Sequence, residues 1–459
     1  MQAVMAPESL VQGESTLADV TRTVTRNLEG KPGRLWWAGF LASVAATLAG
    51  AWAAWVVLTT GIGVAGLNNS SAWGFFIINF VFWVGIGHAG TLISAFLLLM
   101  RQHWRSAVNR AAEASAVIAV ACAGIFPLLH MGRPWFFYWL IPYPNTRGSV
   151  WPNFRSPLLW DVMAVGTYVT LSSVYFYVGM IPDLASLRDR AKKGLKKTLY
   201  GFFSLGWDGS ARNWSRYEMA YLLLAGLMTP LVLSVHSVVS CDMAATLKPE
   251  MHETIFPPYF GTGAIFCGFA VVLTLLLVMR RTMHLQAYIT RRHIDIMAKV
   301  MLMAACFLGV IYVTEVFIAW YSGDRYLQFD YLNRFFGPRG WAAAIMYGCN
   351  MLVPQLLWIR KVRANLVAVF VISLLASLGM WFERYVIIIV GLERDFLPSA
   401  WRPYHATLFD YLLTLGGFGL FFTLFLLFCR FLPVLAMADM KKEVAREAAI
   451  RRIRKEGGA

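Results

Sequence analysis

Residues 124–162 read GIFPLLHMGRPWFFYWLIPYPNTRGSVWPNFRSPLLWDV. One apolar run ends at His130, and the next carries Asp161 in its first turn. Between them lie aromatic residues, prolines and three arginines, Arg133, Arg147 and Arg155. The runs on either side are long enough to cross a bilayer, so both titratable groups fall at the same membrane edge. That placement suits a carrier that gives up protons and electrons together.

Working outward, the chain is 58% hydrophobic and 14% charged. A soluble domain has about 25% charged residues, so a polytopic membrane protein is expected. Ten runs reach the roughly 20 apolar residues that a spanning helix needs. They cover 35–59, 74–100, 110–131, 157–181, 217–242, 259–280, 294–321, 340–359, 364–390 and 407–436. About 30 of the 41 Lys and Arg lie in the N-terminal arm, alternate loops and the tail, against about nine in the other loops. By the positive-inside rule both termini are cytoplasmic, and loop 132–156 is outside. This distribution assigns the net charge of +16 to one membrane face and argues against nucleic acid as the partner. The first 33 residues show no apolar signal core and read as a cytoplasmic arm. Loop 182–216 and the tail from Lys441 read as basic segments that lie on anionic lipid.

Spans two and six both end in a Met-Arg pair and a short basic loop, LLLMRQHWRSAVNR and LLLVMRRTMHLQAYITRRH. The repeat predicts two four-helix bundles, spans 2–5 and 6–9, with spans one and ten flanking them. The expected units are an N-terminal arm (1–34), a flanking helix and outer loop (35–73), and a first bundle (74–242). A second bundle (243–390), an outer loop and flanking helix (391–436) and a basic tail (437–459) follow.

Orientation turns sequence position into depth. His130, Asp161 and Asp242 fall at one outer level, with His236 nearly two turns deeper than Asp242. Ionisable groups inside spans are costly and usually face the bundle interior. The plainer reading is helix-end groups wetted at the interface. The functional one is a quinol site, with His as hydrogen-bond partner and carboxylates as proton acceptors. Trp135, Phe136, Phe137, Tyr138 and Trp139 suit its walls or an interfacial belt. His88, between glycines in mid-span, is a core histidine or a proton relay. Glu315, Glu383 and Arg384 are an ion pair or proton-transfer groups of the second bundle. Glu113, Lys299 and Asp410 read as interfacial.

The within-span histidines, one per span, do not give the four-ligand pattern of a diheme cytochrome b. None of the six cysteines has metal-ligand spacing, so neither haem, cluster nor other metal is expected in this chain.

The segments GHAGTLISAFL, PLLHMGRPWFFYW, NFRSPLLWDV, VHSVVSCDMA and MIPDLASLRDRA resemble the larger quinol-oxidising membrane subunits (the ActC type) of alternative complex III, in the NrfD/PsrC-like superfamily. The resemblance runs from about residue 35 to the end and is most specific over spans two to five. It implies ten spans in two bundles, an all-α membrane fold, and a bacterial inner-membrane location. It implies menaquinol as bound substrate, oxidised near the outer face, with His130, Asp161 and Asp242 at the site and Arg133 orienting it. Electrons would pass to an outer iron–sulfur subunit and multihaem c-type cytochromes, beside a second NrfD-like membrane subunit. Proton translocation through the second bundle is also implied. A secondary transporter or channel built of repeated bundles, or a structural anchor for redox subunits, remains as the alternative. The clustering of titratable groups toward one face favours the quinol reading over a mid-membrane transport site.

Overall fold

The computed structural model describes residues 10–13, 15–141 and 157–456. Arg147 and Arg155, and most of loop 132–156, lie outside the described residues. The described chain is helical, with no strand.

A short amphipathic helix, α1 (Leu17–Glu29), precedes the first spanning helix α2 (Arg34–Thr60). The first bundle is α3 (Gly74–Leu99), α4 (Asn109–His130), α5 (Pro157–Arg190) and, after the short α6 (Leu195–Phe203), α7 (Ala211–Ala244). The second contains α8 (Phe256–Thr282) and α9 (Arg291–Tyr321); the surface helix α10 (Arg325–Phe336) then leads to α11 (Gly340–Tyr347). Past α12 (Arg360–Ala364), α13 (Leu366–Tyr385) runs through a π turn into α14 (Gly391–Glu393). The flanking α15 (Leu408–Phe431) and terminal α16 (Met437–Glu456) complete the chain. Among the described residues, nine helices are long and apolar enough to span a bilayer.

The eighth expected span, 340–359, is helical but not one α-helix. α11 passes into a π segment at Gly348–Leu352 and a 3-10 segment at Val353–Trp358. Pro354 supplies the cause: it lacks an N–H and its ring crowds the preceding turn, so the ladder widens and then tightens around it.

α3 is the hub, packed against α4, α7 and α8, and nearly all of its residues are buried. Glycines allow these approaches. A Cβ on Gly87 would strike Val120, one on Gly90 would strike the Ala112 carbonyl, and one on Gly268 of α8 would collide with Ala89. α2 and α15 pair outside the bundles through the same device, Gly50 against Gly416.

The first and last described helices, α1 and α16, gather at one end of the molecule, the terminal face. α1 buries Val20, Val24 and Leu28 and packs on α15 and α16. The basic tail was expected on lipid. Instead α16 buries Met437, Met440 and Val444 on the protein's own terminal face. Asp183 of α5 accepts hydrogen bonds from the Met437 and Ala438 N–H groups, and Arg105 pairs with Asp439 at 2.6 Å. The charge run therefore hides anchoring contacts. α6 leaves Leu195 and Phe202 exposed beside Lys196 and Lys197.

Gly268→Val would force the two bundles apart at the α3–α8 contact. Overpacking of this kind costs about 1–3 kcal/mol. The expected result is lower thermal stability in mild detergent; an unchanged unfolding midpoint would contradict the close approach.

Candidate functional site

The end of the first bundle away from the termini is built by three local signals. α4 stops where Gly132 adopts φ +69°, and its N–H bonds the Leu129 carbonyl at 2.9 Å. Glycine takes that conformation without penalty, so the chain turns immediately after His130. Pro134 opens a 3-10 segment, Pro134–Leu140, carrying Trp135 and Trp139. Pro157 opens α5, which puts Asp161 at the end of its first turn. Asp242 lies near the end of α7, which packs on α5.

The Asp161 and Asp242 carboxyls lie close enough to each other to interact. An ionised carboxylate only accepts, so two carboxyls at such a range can bond directly only by sharing a proton. The Oδ1 atom of each is buried without a partner, and so is His130 Nδ1. The His130 ring lies 5.5 Å from that of Phe76. Phe136 stacks on Trp139 at 4.6 Å over this end. Buried polar atoms in proteins are ordinarily satisfied, so three orphans at one helix-bundle end point to a polar ligand. Arg133 and Trp135 are exposed, and among the described residues Arg133 forms no ion pair.

Deeper in the bundle, His88 Nδ1 and His236 Nε2 are 2.9 Å apart. Their other ring nitrogens, His88 Nε2 and His236 Nδ1, are buried and unpartnered. The glycines beside His88 seat α4, and Tyr168 packs edge-on against its ring at 4.2 Å. One helical turn further on α3, Thr91 meets the Tyr168 hydroxyl at 2.6 Å. Another turn on, Ser94 donates to Glu113 Oε1 at 2.5 Å and meets Tyr175 at 3.1 Å. Tyr221 also donates to Glu113, and Arg110 bridges Glu113 (3.2 Å) and Asp183 (2.9 Å). The interior of the first bundle thus carries polar groups from the carboxyl pair to the terminal face.

Sequence reading placed Glu113 at an interface; it is fully buried, since α4 begins inside the packed terminal face and Arg110 accompanies it. Asp410 is likewise buried rather than interfacial. It caps α15 by accepting from the Thr407 N–H (2.8 Å) and reaches the Gly66 N–H (2.9 Å). Asp183, Arg110 and the tyrosines were missed; helical spacing of Thr91 and Ser94 beyond His88 was the available signal. Lys299 is exposed, as expected.

In the second bundle Glu383 pairs with its neighbour Arg384 and accepts hydrogen bonds from Tyr312 and from Asn350 of the π segment. The Arg384 guanidinium covers the Phe260 ring and lies within electrostatic range of His236, so the bundles meet there. Glu315 does not join this pair. It faces Arg334 of α10 at 3.9 Å, and Arg334 bonds Glu250. Among the described residues no group of three or more His, Cys, Asp or Glu is arranged to hold a metal ion.

The family model for the polysulphide reductase NrfD matches residues 63–394, which contain every site residue above. Two relatives are similar over parts of the chain. One is a putative dimethyl sulfoxide reductase membrane subunit of Halobacterium salinarum, 25% identical over 53% of this chain and 52% of its own. The other is a selenate reductase subunit of Mesobacillus selenatarsenatis, 22% identical over 85% of this chain and 92% of its own. The chain thus spans about half the length of the first relative and nearly all of the second.

Outside the spans, burial pushes Glu253 up to about 7; Arg334 opposes the shift and the like charge of Glu250 adds to it. The folded state therefore holds an extra proton from roughly the ordinary carboxylate value to about pH 7, and stability falls as pH rises through that window. Asp330, pushed up to about 8 by burial and then by Glu250, acts in the same sense. Glu253→Gln is expected to match the parent at pH 5 and to melt a few degrees higher at pH 8. Equal melting curves at both pH values would show that Glu253 titrates normally.

Proposed function

This chain belongs to the polysulphide reductase NrfD family, and we propose that it is the quinol-oxidising membrane subunit of a respiratory complex of the alternative complex III kind. The observation that carries this reading is the end of the first bundle. There the neighbouring carboxyls of Asp161 and Asp242, and His130, hold buried polar atoms without partners, at the end of the bundle that also carries the Phe136–Trp139 stack.

Oxidation of a quinol to a quinone releases two protons and two electrons. His130 Nδ1 accepts the hydrogen bond of one hydroxyl and takes up its proton. The carboxyl pair, already holding one proton, accepts the other through an unpartnered Oδ1 and passes it to water. Trp135 and Phe76 flank the ring, and Arg133, in the HMGRP turn, orients the headgroup from the rim. His236, bonded to His88, closes the inner side of the site. The electrons leave to an iron–sulfur subunit docked over the 3-10 segment, and then to multihaem c-type cytochromes. The membrane part also includes a second NrfD-like subunit. Menaquinol is the species the reading favours.

The basic loops all gather on the terminal face, which favours a cytoplasmic position for that face in the bacterial inner membrane and a quinol site toward the outside. His88, Glu315, Glu383 and Arg384 are the groups through which proton translocation would be coupled. The names of the two relatives favour a second assignment of the electron acceptor, a terminal reductase, with the same quinol site. The redox proteins that co-purify separate the two: multihaem cytochromes for the first, a reductase for the second.

His130→Leu and Asp161→Asn should each cut quinol oxidation by the purified complex by about 10²-fold or more, with every subunit still present. Near-parental turnover by both variants would move the site elsewhere. For orientation, Leu247 is 80% exposed in the loop after α7. Leu247→Cys should label with an impermeant thiol reagent in intact cells. Labelling only after lysis would reverse the topology.

A further inference from the structure

The break in the eighth span has a second consequence, at the terminal face. Because α11 and its continuation leave the α-helical path before Trp358, they do not cover the neighbouring stretch of α9. A groove of about 570 Å³ remains, floored by Leu302, Met303, Cys306, Phe307 and Val310 and walled by Trp358. Lys299 and Arg363 stand at its mouth.

The mouth is cationic. Asp295 is shared by Lys299 (2.6 Å) and Arg363 (2.9 Å), so one carboxylate faces two cations. Arg360 and Lys361 are exposed on the adjoining α12. Four positive groups against one negative leave a strong excess at headgroup depth. The apolar floor continues from Lys299 to Val310, eleven residues along α9, or about 16 Å at the helical rise. That is about half of the ~30 Å hydrocarbon core, the depth of one leaflet. Met303, Phe307 and Val310 are exposed along it. The Trp358 indole donates to Gln355 at 3.0 Å, which holds the wall in place, and tryptophan is a residue type that favours membrane interfaces.

We propose that this groove binds one anionic phospholipid of the leaflet at the terminal face, its phosphate against Lys299 and the α12 cations and an acyl chain along α9. A zwitterionic lipid fills the same apolar space but does not answer the charge excess. The site is separate from the quinol end of the first bundle.

The test uses the intact purified complex, exchanged into mild detergent and examined by native mass spectrometry with added phosphatidylglycerol or phosphatidylcholine. The parent should retain one phosphatidylglycerol that phosphatidylcholine does not replace. Lys299→Gln with Lys361→Gln removes two cations and leaves Arg363, which also holds the Leu357 and Trp358 carbonyls. Surface cations are worth about fivefold in lipid binding each, so this pair should weaken retention about 25-fold. Val310→Trp fills the floor with every charge intact and should also expel the lipid, which keeps the test open if the charge variant assembles poorly. Equal binding of the two lipids by the parent would overturn the proposal. Undiminished phosphatidylglycerol on either variant would do the same.

Discussion

Within a bilayer a polar side chain has only the protein, or a ligand, to satisfy it. Most of this structure follows from that constraint. Each buried charge near the terminal face of the first bundle is matched: Arg110 by Glu113 and Asp183, Arg105 by Asp439, Glu113 by Ser94 and Tyr221. The same holds at Glu383, which gathers Arg384, Tyr312 and Asn350. Unpartnered buried atoms occur in both halves, at Glu253, Tyr259 and Glu315 beside the second bundle and at His130, Asp161, Asp242, His88 and His236 within the first. Leaving them costs stability, and binding a polar carrier offsets that cost.

The two bundles place their matched networks at different depths. In the first, the Arg–Glu–Asp cluster sits at the terminal face, and the open polar end is opposite. In the second, Arg334 with Glu250 and Glu315 lies toward the opposite face, below α10. Arg334 is contributed by a surface helix, so this cluster is closed by a lid element rather than by a spanning one. Burial there raises Glu253 and Asp330 into the neutral range, which makes the lid the most pH-responsive part outside the spans.

The spans were legible in the sequence because hydrophobic length is a one-dimensional quantity. The helix boundaries near His130 and Asp161 were legible for a related reason: the breakers Gly132 and Pro157 fix where those helices stop and start. Partner identity was not. Glu113 and Asp410 looked interfacial because sequence gives distance from a helix end, whereas their burial depends on what another helix brings. The tail was misread as a lipid-facing run since Met437, Met440 and Val444 are too sparse among charges to announce a docking face. In 340–358 the apolar length was right, yet Pro354 broke the helix, and composition alone does not distinguish a kink from a π-to-3-10 transition.

The same break bears on how the bundles communicate. Asn350 bonds both Tyr312 and Glu383, and it reaches them from the π segment, whose wider turn shifts the side chain relative to a regular helix. A second π turn, Val386–Val390, begins two residues after Arg384. π turns concentrate where a side chain must be re-aimed. Here the two of them frame one ion pair, Glu383–Arg384, whose guanidinium reaches toward His236 across the α8 contact. The close approach of Gly268 to Ala89 keeps α8 and α3 near enough for that reach. A charge arriving on the His88–His236 pair is therefore felt by Arg384, since the two lie within electrostatic range of each other.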